Sequence, residues 1–309
     1  MGSPRVGIVI LNWNRPAHTM ACLRSLEQLA YPSCEVVVVD NGSAGDSVAA
    51  IRRGFPAVDV IENGHNLGFA GGNNVGIAHL LRRGADYVFL LNDDTEVASD
   101  LLETLIEVSE RDPAIGILGP KICYFSQANV IWSAGGTIDR YGQPSHRRWG
   151  EVDDGSPEAV QDVDYVTGCA MLVKRAVVEK AGKLDERFFA YYEEAEWCTR
   201  ARRLGFRVVY VPGGRVWHKI AQATRDHSGY YLYLMARNRL LYLKCSGASP
   251  WIILLTTASL LRTAASWSVR PRHKDMRPFA GIILRGVLDF NRGRFGPPPP
   301  LPQPNGGKW

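Results

Sequence analysis

The 309-residue chain is predicted to form an α/β fold built on a mostly parallel sheet flanked by helices. Short apolar runs alternate with helical segments over residues 6–91, as in consecutive βαβ units. The runs are nearly continuous in apolar residues, which favours strands covered on both faces. Apolar residues make up 46% of the chain and charged residues 22%, so a globular core is expected.

Apolar runs and turn residues place the individual elements. Strands are predicted over 6–11, 35–39, 58–62 and 87–91, with helices over 18–29, 46–53, from the Gly-rich segment to 83, and over 99–110. After Pro113 the pattern is less regular. Strands are predicted there over 115–118 and 207–211, with an apolar segment over 163–173 and a hairpin or mobile loop within 130–151. Helices are predicted over 175–181, from the Glu-rich cluster to 203, and over 230–244.

Two adjacent carboxylates, Asp93 and Asp94, directly follow the apolar run 87–91. Open α/β sheets bind ligands outside the carboxyl ends of their strands. Oxygen donors at that edge suit Mg²⁺ or Mn²⁺, and such a cation suits a diphosphate. The alternative is that the pair caps the helix predicted over 99–110. The pair alone favours neither interpretation.

The Gly-rich segment from Asn66 to Asn74 opens the third predicted helix. Such a segment can bring backbone close to a phosphate or ribose, but it is equally typical of a plain connection.

A second cluster of carboxylates, Glu193, Glu194 and Glu196, stands at the start of a predicted helix. Acidic residues in a first turn are favoured by the helix dipole, which accounts for the charge. It does not account for the aromatic residues that flank them. Apolar surroundings raise the pKa of a carboxyl group and suit it to general-base catalysis. His218, at a strand end, is by itself more typical of a structural residue than of a ligand.

The charge is unevenly distributed along the chain. Residues 226–309 carry 12 Lys and Arg against 3 Asp and Glu, which points to an acidic partner such as nucleic acid or an anionic membrane. Residues 251–269 are apolar except for Arg262, which makes a membrane span costly and favours a helix lying in the interface, anchored by Trp251 and Trp267. A C-terminal helical subdomain packed on the body is the alternative. The six cysteines lack CxxC spacing and no signal peptide is expected, so a cytoplasmic location is predicted.

Five segments together resemble family 2 of the inverting nucleotide-sugar glycosyltransferases, in particular the rhamnosyltransferase and galactofuranosyltransferase branch. They are Asn-Trp-Asn after the first strand, Asp40-Asn41-Gly42-Ser43, Asn66 to Asn73, Asn92-Asp93-Asp94, and Tyr-Tyr-Glu193-Glu194-Ala-Glu196-Trp-Cys. The resemblance covers residues 5–245 and implies a Rossmann-like GT-A fold. It implies a catalytic domain over 1–225, with a nucleotide-binding half about 1–112 and an acceptor half about 113–225. The composition of the remaining chain predicts a helical segment over 226–296 that is a candidate for membrane association, and a disordered Pro-rich tail over 297–309.

The resemblance also implies roles for individual residues. The nucleotide sugar would contact Trp13, Asp40, Asn41, Asn66, Gly68, Gly71, Gly72, Asn73 and Asp93. Asp94 and His218 would hold Mg²⁺ or Mn²⁺. Glu194 would be the catalytic base, and Glu193, Glu196 and Trp197 would lie on the acceptor side.

The activity so implied is transfer of a sugar, with rhamnose the first expectation, from a dTDP-, UDP- or GDP-linked donor to a glycan or lipid-linked hydroxyl, with inversion in a single displacement. The setting would be polysaccharide biosynthesis at the cytoplasmic face of the inner membrane. A non-catalytic nucleotide-sugar-binding module is the alternative. A Rossmann oxidoreductase is disfavoured because no GxGxxG follows the first strand, and nucleic-acid binding because no zinc-finger or RNP-like pattern occurs.

Overall fold

The structure is a computed structural model that describes residues 3–219 and 229–301. Its strands are β1 (Val6–Asn12), β2 (Cys34–Asp40), β3 (Asp59–Glu62), β4 (Tyr87–Asn92), β5 (Thr95–Val97), β6 (Ile115–Tyr124), β7 (Gln127–Ser133), β8 (Gly136–Ile138), β9 (Pro144–His146), β10 (Gln161–Asp162), β11 (Ala170–Lys174) and β12 (Arg207–His218). Its α-helices are α1 (Pro16–Leu26), α2 (Ser47–Gly54), α3 (Gly68–Arg82), α4 (Leu101–Arg111), α5 (Arg175–Ala181), α6 (Glu193–Arg203), α7 (Gly229–Cys245), α8 (Pro250–Val269) and α9 (Arg277–Asn291).

Eight strands follow one another across the central sheet in the order β10-β12-β6-β11-β4-β1-β2-β3, while β5 pairs with β12 and β7 with β6. Strands β3, β2, β1 and β4 are mutually parallel, as are β6 and β12. Strand β11 runs antiparallel between β4 and β6. The predicted α/β fold with a mostly parallel sheet is confirmed, and the sheet continues through the predicted boundary at residue 112.

Two apolar cores cover the two faces of this sheet. Alternate residues of β1 separate between them, since Ile8 and Ile10 face one core and Val9 faces the other. Helices α1 and α4 contribute Leu23 and Leu102 to the first core. This two-sided burial is why the strand reads as an unbroken apolar run rather than as an alternating pattern.

Most predicted helices and strands are present, but three differ in extent. The Gly-rich segment is not a loop, because α3 already begins at Gly68. Strand β6 runs to Tyr124 rather than ending at Leu118. Strand β12 continues to His218 past an irregularity between Val211 and Arg215.

The first of the C-terminal helices packs on the body of the fold. Leu241, Tyr242 and Leu243 of α7 belong to the same core as Val9. The predicted boundary at residue 225 lies outside the described residues, and the predicted division of the chain stays a prediction. Helices α8 and α9 then pack on α7. Residues 297–301 are described without regular structure, and the rest of the predicted disordered tail, 302–309, lies outside the described residues.

Helix α8 is long and apolar enough to cross a membrane by length and composition, and only 11% of its most apolar stretch is buried in the described structure. A core helix of this composition would be mostly buried. Helix α8 is therefore an exposed apolar helix on the surface of the described fold.

Candidate active site

Asp93 and Asp94 form the tight turn between β4 and β5. They do not cap a helix, because α4 begins only at Leu101, after Asp100. Strand β12 pairs with β5 so that His218 lies opposite Thr95. His218 Nε2 lies 2.9 Å from Asp94 Oδ1 as a result. Folding thus joins residues that are 124 positions apart in sequence.

The two aspartates lie in different electrostatic surroundings. Burial and the neighbouring charge of Asp94 raise the pKa of Asp93 to about 7. Burial also acts to raise the pKa of Asp94, but the hydrogen bond and charge of His218, with the charge of Arg15, lower it below its ordinary value overall. Asp94 is therefore an anion at neutral pH. Arg15 Nη1 lies 3.2 Å from Asp94 Oδ2 and 3.5 Å from Asp93 Oδ1.

These groups fit a divalent cation that shares its coordination with a ligand. In the part of the chain that the structure describes, no three His, Cys, Asp or Glu side chains are arranged to surround one ion. However, the 2.9 Å between His218 Nε2 and Asp94 Oδ1 matches the roughly 2.9 Å that separates adjacent ligands of an octahedral ion bound at about 2.05 Å. Asp93 Oδ2 is also buried and without a hydrogen-bond partner within the described structure. Mg²⁺ commonly binds through one or two carboxylates plus substrate phosphates, which these donors allow.

Glu193 and Glu194 begin α6. The Oε2 atoms of both are buried and lack a hydrogen-bond partner among the described residues. Burial raises the pKa of both carboxyl groups, and the charge of Glu194 raises that of Glu193 further. Because the charge of Glu194 is among the causes that raise the pKa of Glu193, Glu194 is the carboxyl group of the pair that ionises first.

The glutamates and the aspartates flank the same edge of the sheet. The backbone N–H of Asn92, next to Asp93, donates to the carbonyl of Cys169. At the adjacent Gly168, an added Cβ would lie only 3.8 Å from Cβ of Glu194. The start of β11 therefore places the two acidic groups on either side of one position.

A row of rings that the sequence did not single out also joins the two groups. The Trp132 ring lies 4.8 Å from that of His218 and 4.5 Å from that of His146. The His146 ring is 6.0 Å from that of Tyr165, whose pKa is raised by burial and by the charge of Glu194. Burial lowers the pKa of His146 to about 4, so its ring is neutral at neutral pH.

Asp40 is held in a polar network at the end of β2. Its Oδ1 accepts a hydrogen bond from Asn12 Nδ2 at 2.6 Å, and its Oδ2 accepts one from the backbone N–H of Ser43. The network is buried, whereas Trp13 beside it is partly exposed. Their predicted contacts to base and ribose remain a prediction.

Asn41 and Asn66 bond to each other as well as to the backbone. Asn41 Nδ2 donates to Asn66 Oδ1 and to the Gly68 carbonyl, and Asn41 Oδ1 accepts from the backbone N–H of Leu67. With these bonds, Asn41 orders the segment that leads into α3.

The predicted phosphate-facing glycines are packing positions in the structure. An added Cβ would lie 2.4 Å from the Phe189 carbonyl oxygen at Gly68, 2.9 Å from Leu67 Cβ at Gly71 and 2.4 Å from a Leu11 methyl at Gly72. Asn73 is buried and its Nδ2 donates to the Phe69 carbonyl one turn earlier. Gly72 brings α3 close to β1, and Gly68 brings its start close to the Phe189 carbonyl. The predicted contact of these residues with a nucleotide sugar stays a prediction.

Two acceptor-side candidates have partners within the protein. Glu196 accepts hydrogen bonds from Arg200, at 2.7 Å from Nη2. Trp197 is fully buried and its Nε1 donates to the Gly182 carbonyl at 2.8 Å. Glu196 is thus paired within α6, whereas Trp197 fixes α6 against the end of α5. Of the three candidates, only Glu193 directly precedes Glu194 in the chain. Arg15 was missed by sequence reasoning because its contact to the aspartates spans 79 positions.

Comparison with known proteins decides the family. A family model described as glycosyltransferase-like family 2 matches residues 4–239. The chain belongs to this family. The match takes in both acidic groups, His218 and most of α7, so the chain is a glycosyltransferase enzyme.

This glycosyltransferase has several curated relatives. A low-salt glycan biosynthesis hexosyltransferase of Haloferax volcanii is 30% identical over 67% of this chain and 66% of its own length. An N-acetylglucosaminyl-diphospho-decaprenol L-rhamnosyltransferase of Mycobacterium tuberculosis is 26% identical over 75% of this chain and 84% of its own. A dTDP-rhamnosyl transferase of Shigella flexneri is 26% identical over 76% and 79%.

Solved structures identify the fold. A mannosyltransferase from Pyrobaculum calidifontis, in complex with GDP-Man and Mn²⁺, superposes with a TM-score of 0.57 at 15% identity, covering 95% of this chain and 89% of that one. The predicted GT-A fold is thereby confirmed.

Proposed function

We propose that this glycosyltransferase transfers rhamnose from a nucleotide-diphosphate donor to a hydroxyl of a glycan or lipid-linked acceptor, with inversion at the anomeric carbon. Two of the relatives described above carry rhamnosyl transfer in their names. The observations that support this chemistry are that His218 Nε2 lies 2.9 Å from Asp94 Oδ1 at the end of β4, and that Glu194 lies near Gly168, one residue before the Cys169 carbonyl that accepts from Asn92. dTDP is the first nucleotide to test, followed by UDP and GDP.

Glu194 is the catalytic base in this mechanism. Its carboxylate accepts the proton of the acceptor hydroxyl as the hydroxyl oxygen attacks the anomeric carbon, and the bond to the diphosphate breaks. A single displacement of this kind inverts the configuration and needs no covalent intermediate. Glu193, which is more deeply buried, keeps its proton and can donate a hydrogen bond towards a sugar hydroxyl.

Asp94 and His218 would hold Mg²⁺ or Mn²⁺, with Asp93 beside them. A cation bound there would offset the charge of the leaving diphosphate. Arg15, which reaches both carboxylates, supplies positive charge of its own at this edge.

The C-terminal helices support a peripheral location on an anionic membrane, at the cytoplasmic face. Trp251 is 65% exposed and Leu254 is 55% exposed on α8. A cleft of about 310 Å³ at the other end of α8 is lined by Arg262, Arg270 and His273, together with Thr263, Ser266 and Trp267. Cationic groups beside an exposed apolar helix match the chemistry of phospholipid headgroups and tails.

A substitution of the base tests the proposed chemistry. Glu194→Gln is expected to lower turnover by at least about a hundredfold, because it removes the group that accepts the proton. Donor binding should remain near wild type, since the amide keeps the shape of the side chain. Glu179→Gln, at an exposed glutamate of α5, is the control and should transfer sugar normally. Wild-type turnover of Glu194→Gln would overturn the assignment.

The pH dependence gives a second readout. Glu194 must be ionised to act, and burial raises its pKa above the ordinary value for glutamate. The rate kcat/KM should therefore rise with pH through this raised pKa and be lost below it, and Glu194→Gln should abolish this acid limb.

A thermal-shift screen identifies the donor. A ligand that binds the native state raises Tm. We expect dTDP-rhamnose with Mn²⁺ to raise Tm more than UDP- or GDP-linked sugars do. A shift produced only by a different nucleotide sugar would overturn the donor proposal while leaving the mechanism intact.

A further inference from the structure

The turn that precedes the glutamates has an unusual backbone. Phe189, Tyr191 and Tyr192 are not glycines, yet their φ angles are 67°, 67° and 77°. Phe189 has ψ −61°, and the Ala190 N–H donates to the Phe188 carbonyl across it, which makes a γ-turn of the rare positive-φ type. A residue in such a conformation is strained, and the conformation persists only where its surroundings hold it.

Two buried side chains of α7 hold this turn. Asn238 Nδ2 lies 2.9 Å from the Phe188 carbonyl oxygen, 2.8 Å from that of Ala190 and 2.8 Å from that of Tyr191. Arg237 Nη2 donates to the same Phe188 carbonyl at 2.9 Å. Both side chains have no exposed surface. Three carbonyl groups of the turn thus accept hydrogen bonds from a helix 47 to 50 positions away.

Arg237 also fixes the orientation of the Asn238 amide. Its Nε donates to Asn238 Oδ1 at 2.9 Å, which leaves Nδ2 pointing at the turn. Its Nη1 donates to the Gly296 carbonyl at 2.8 Å. Within the described residues, the guanidinium forms no ion pair. Burying an unpaired cation is costly, so a well-packed apolar side chain would serve stability better at this position.

Helix α3 holds the other side of the turn. The Ala70 N–H donates to the Phe189 carbonyl at 3.1 Å. Gly68 has φ +74°, and a Cβ there would lie 2.4 Å from the same carbonyl oxygen. The turn is therefore fixed between the first turn of α3 and the middle of α7.

We propose that Arg237 and Asn238 are positioning residues for Glu194, an inference that rests on the proposed role of Glu194 as base. Tyr192, the last strained residue, directly precedes Glu193 in α6. If the turn relaxed to ordinary φ values, α6 would begin differently and the carboxylates would move. A displacement of about 1 Å at a reacting group can cost a hundredfold in rate.

The test compares Asn238→Leu with wild type in the full chain. This change keeps the branching and the number of heavy atoms of the side chain but removes the three hydrogen bonds. We expect kcat to fall about a hundredfold, donor Kd to stay within about twofold, and the acid limb of kcat/KM to shift. Hydrogen exchange should accelerate at residues 188–196. Arg239→Gln is the matched control, since Arg239 also lies on α7 but donates to the Tyr141 carbonyl; it should leave kcat and the pH profile unchanged.

The outcomes separate this inference from the proposed function. If Glu194→Gln is inactive while Asn238→Leu keeps the wild-type kcat and pH profile, the positioning role is wrong and the base assignment stands. If Glu194→Gln keeps turnover, the base assignment fails first and the positioning role fails with it. If Asn238→Leu does not fold, Arg237→Lys replaces it, because lysine keeps the charge but cannot reach both the Phe188 carbonyl and the Asn238 amide.

Discussion

Of the two aspartates at the sheet edge, Asp94 is the one whose pKa is lowered, so its charged form is favoured. It is 7% exposed, and it remains ionised because His218 and Arg15 face its two oxygens. Both oxygens of this buried carboxylate therefore have a partner within the described structure. In the proposed function, Asp94 and His218 together would hold the cation.

Asp94→Asn is therefore expected to weaken Mn²⁺-dependent donor binding by more than about tenfold, since even outer-shell partners of a metal are worth about 10–100-fold. The measurement is a Mn²⁺ titration of donor affinity by calorimetry. Asp100→Asn, at an exposed position just before α4, provides the control. An unchanged Mn²⁺ dependence in Asp94→Asn would show that the cation binds elsewhere.

The sequence allowed some residues of the candidate site to be predicted and not others, for a physical reason. Asp93 and Asp94 were found because a polar pair at the end of an apolar run is visible locally. Trp132 and His146 were not found, because their ring contacts to His218 and to each other depend on how β7 and β9 are placed. The glycines were found, but their predicted contact with the nucleotide sugar stays a prediction, since close packing and phosphate contact both demand glycine.

Helix α3 illustrates how an element can be specified by its smallest residues. At Gly76, an added Cβ would lie 2.5 Å from a Val9 methyl, so β1 lies directly against the helix axis. At Gly281 in α9 an added Cβ would meet nothing within 4 Å. The same residue type is required at one position and merely tolerated at the other.

This contrast predicts opposite signs for one substitution. Gly76→Ala should destabilise the protein by about 1–3 kcal/mol through overpacking. Gly281→Ala should stabilise it by about 0.5–1 kcal/mol through helix propensity alone. Urea unfolding of the two variants beside wild type measures both. Equal effects in the two variants would mean that α3 does not pack this closely on β1.

Strand β12 shows that a sequence pattern can misplace the end of a strand. Pro212, Gly213 and Gly214 interrupt its apolar run, which predicts a strand ending at Val211. In the structure the chain makes an irregularity there, resumes pairing with β6 at Arg215, and continues to His218. The interruption re-aims the end of the strand, so the residues that look like a terminator are what bring His218 to Asp94.

On the scale of the whole molecule, α7 links the exposed C-terminal helices to the catalytic edge. Asp289 of α9 accepts a hydrogen bond from the Tyr233 hydroxyl at 3.0 Å, and the Arg237 guanidinium lies 5.3 Å from the Tyr233 ring centroid. Arg237 and Asn238 then reach the 188–192 turn. A surface that docks on a lipid bilayer would thus be joined by contiguous packing to the residues that hold the base.

The apolar surface of α8 predicts membrane binding that depends on lipid charge. The intact protein should sediment with vesicles of equal parts phosphatidylglycerol and phosphatidylcholine, and less with phosphatidylcholine alone, because basic residues near the surface contribute about 1 kcal/mol each. Replacing Trp251 and Leu254 by serine should weaken partitioning at least about tenfold through lost apolar burial. Trp149→Ser is the matched control, since Trp149 is 66% exposed but lies outside α8. If the serine variant bound anionic vesicles as tightly as wild type, α8 would not be the docking surface; if neither bound, the acceptor would have to reach this enzyme from solution.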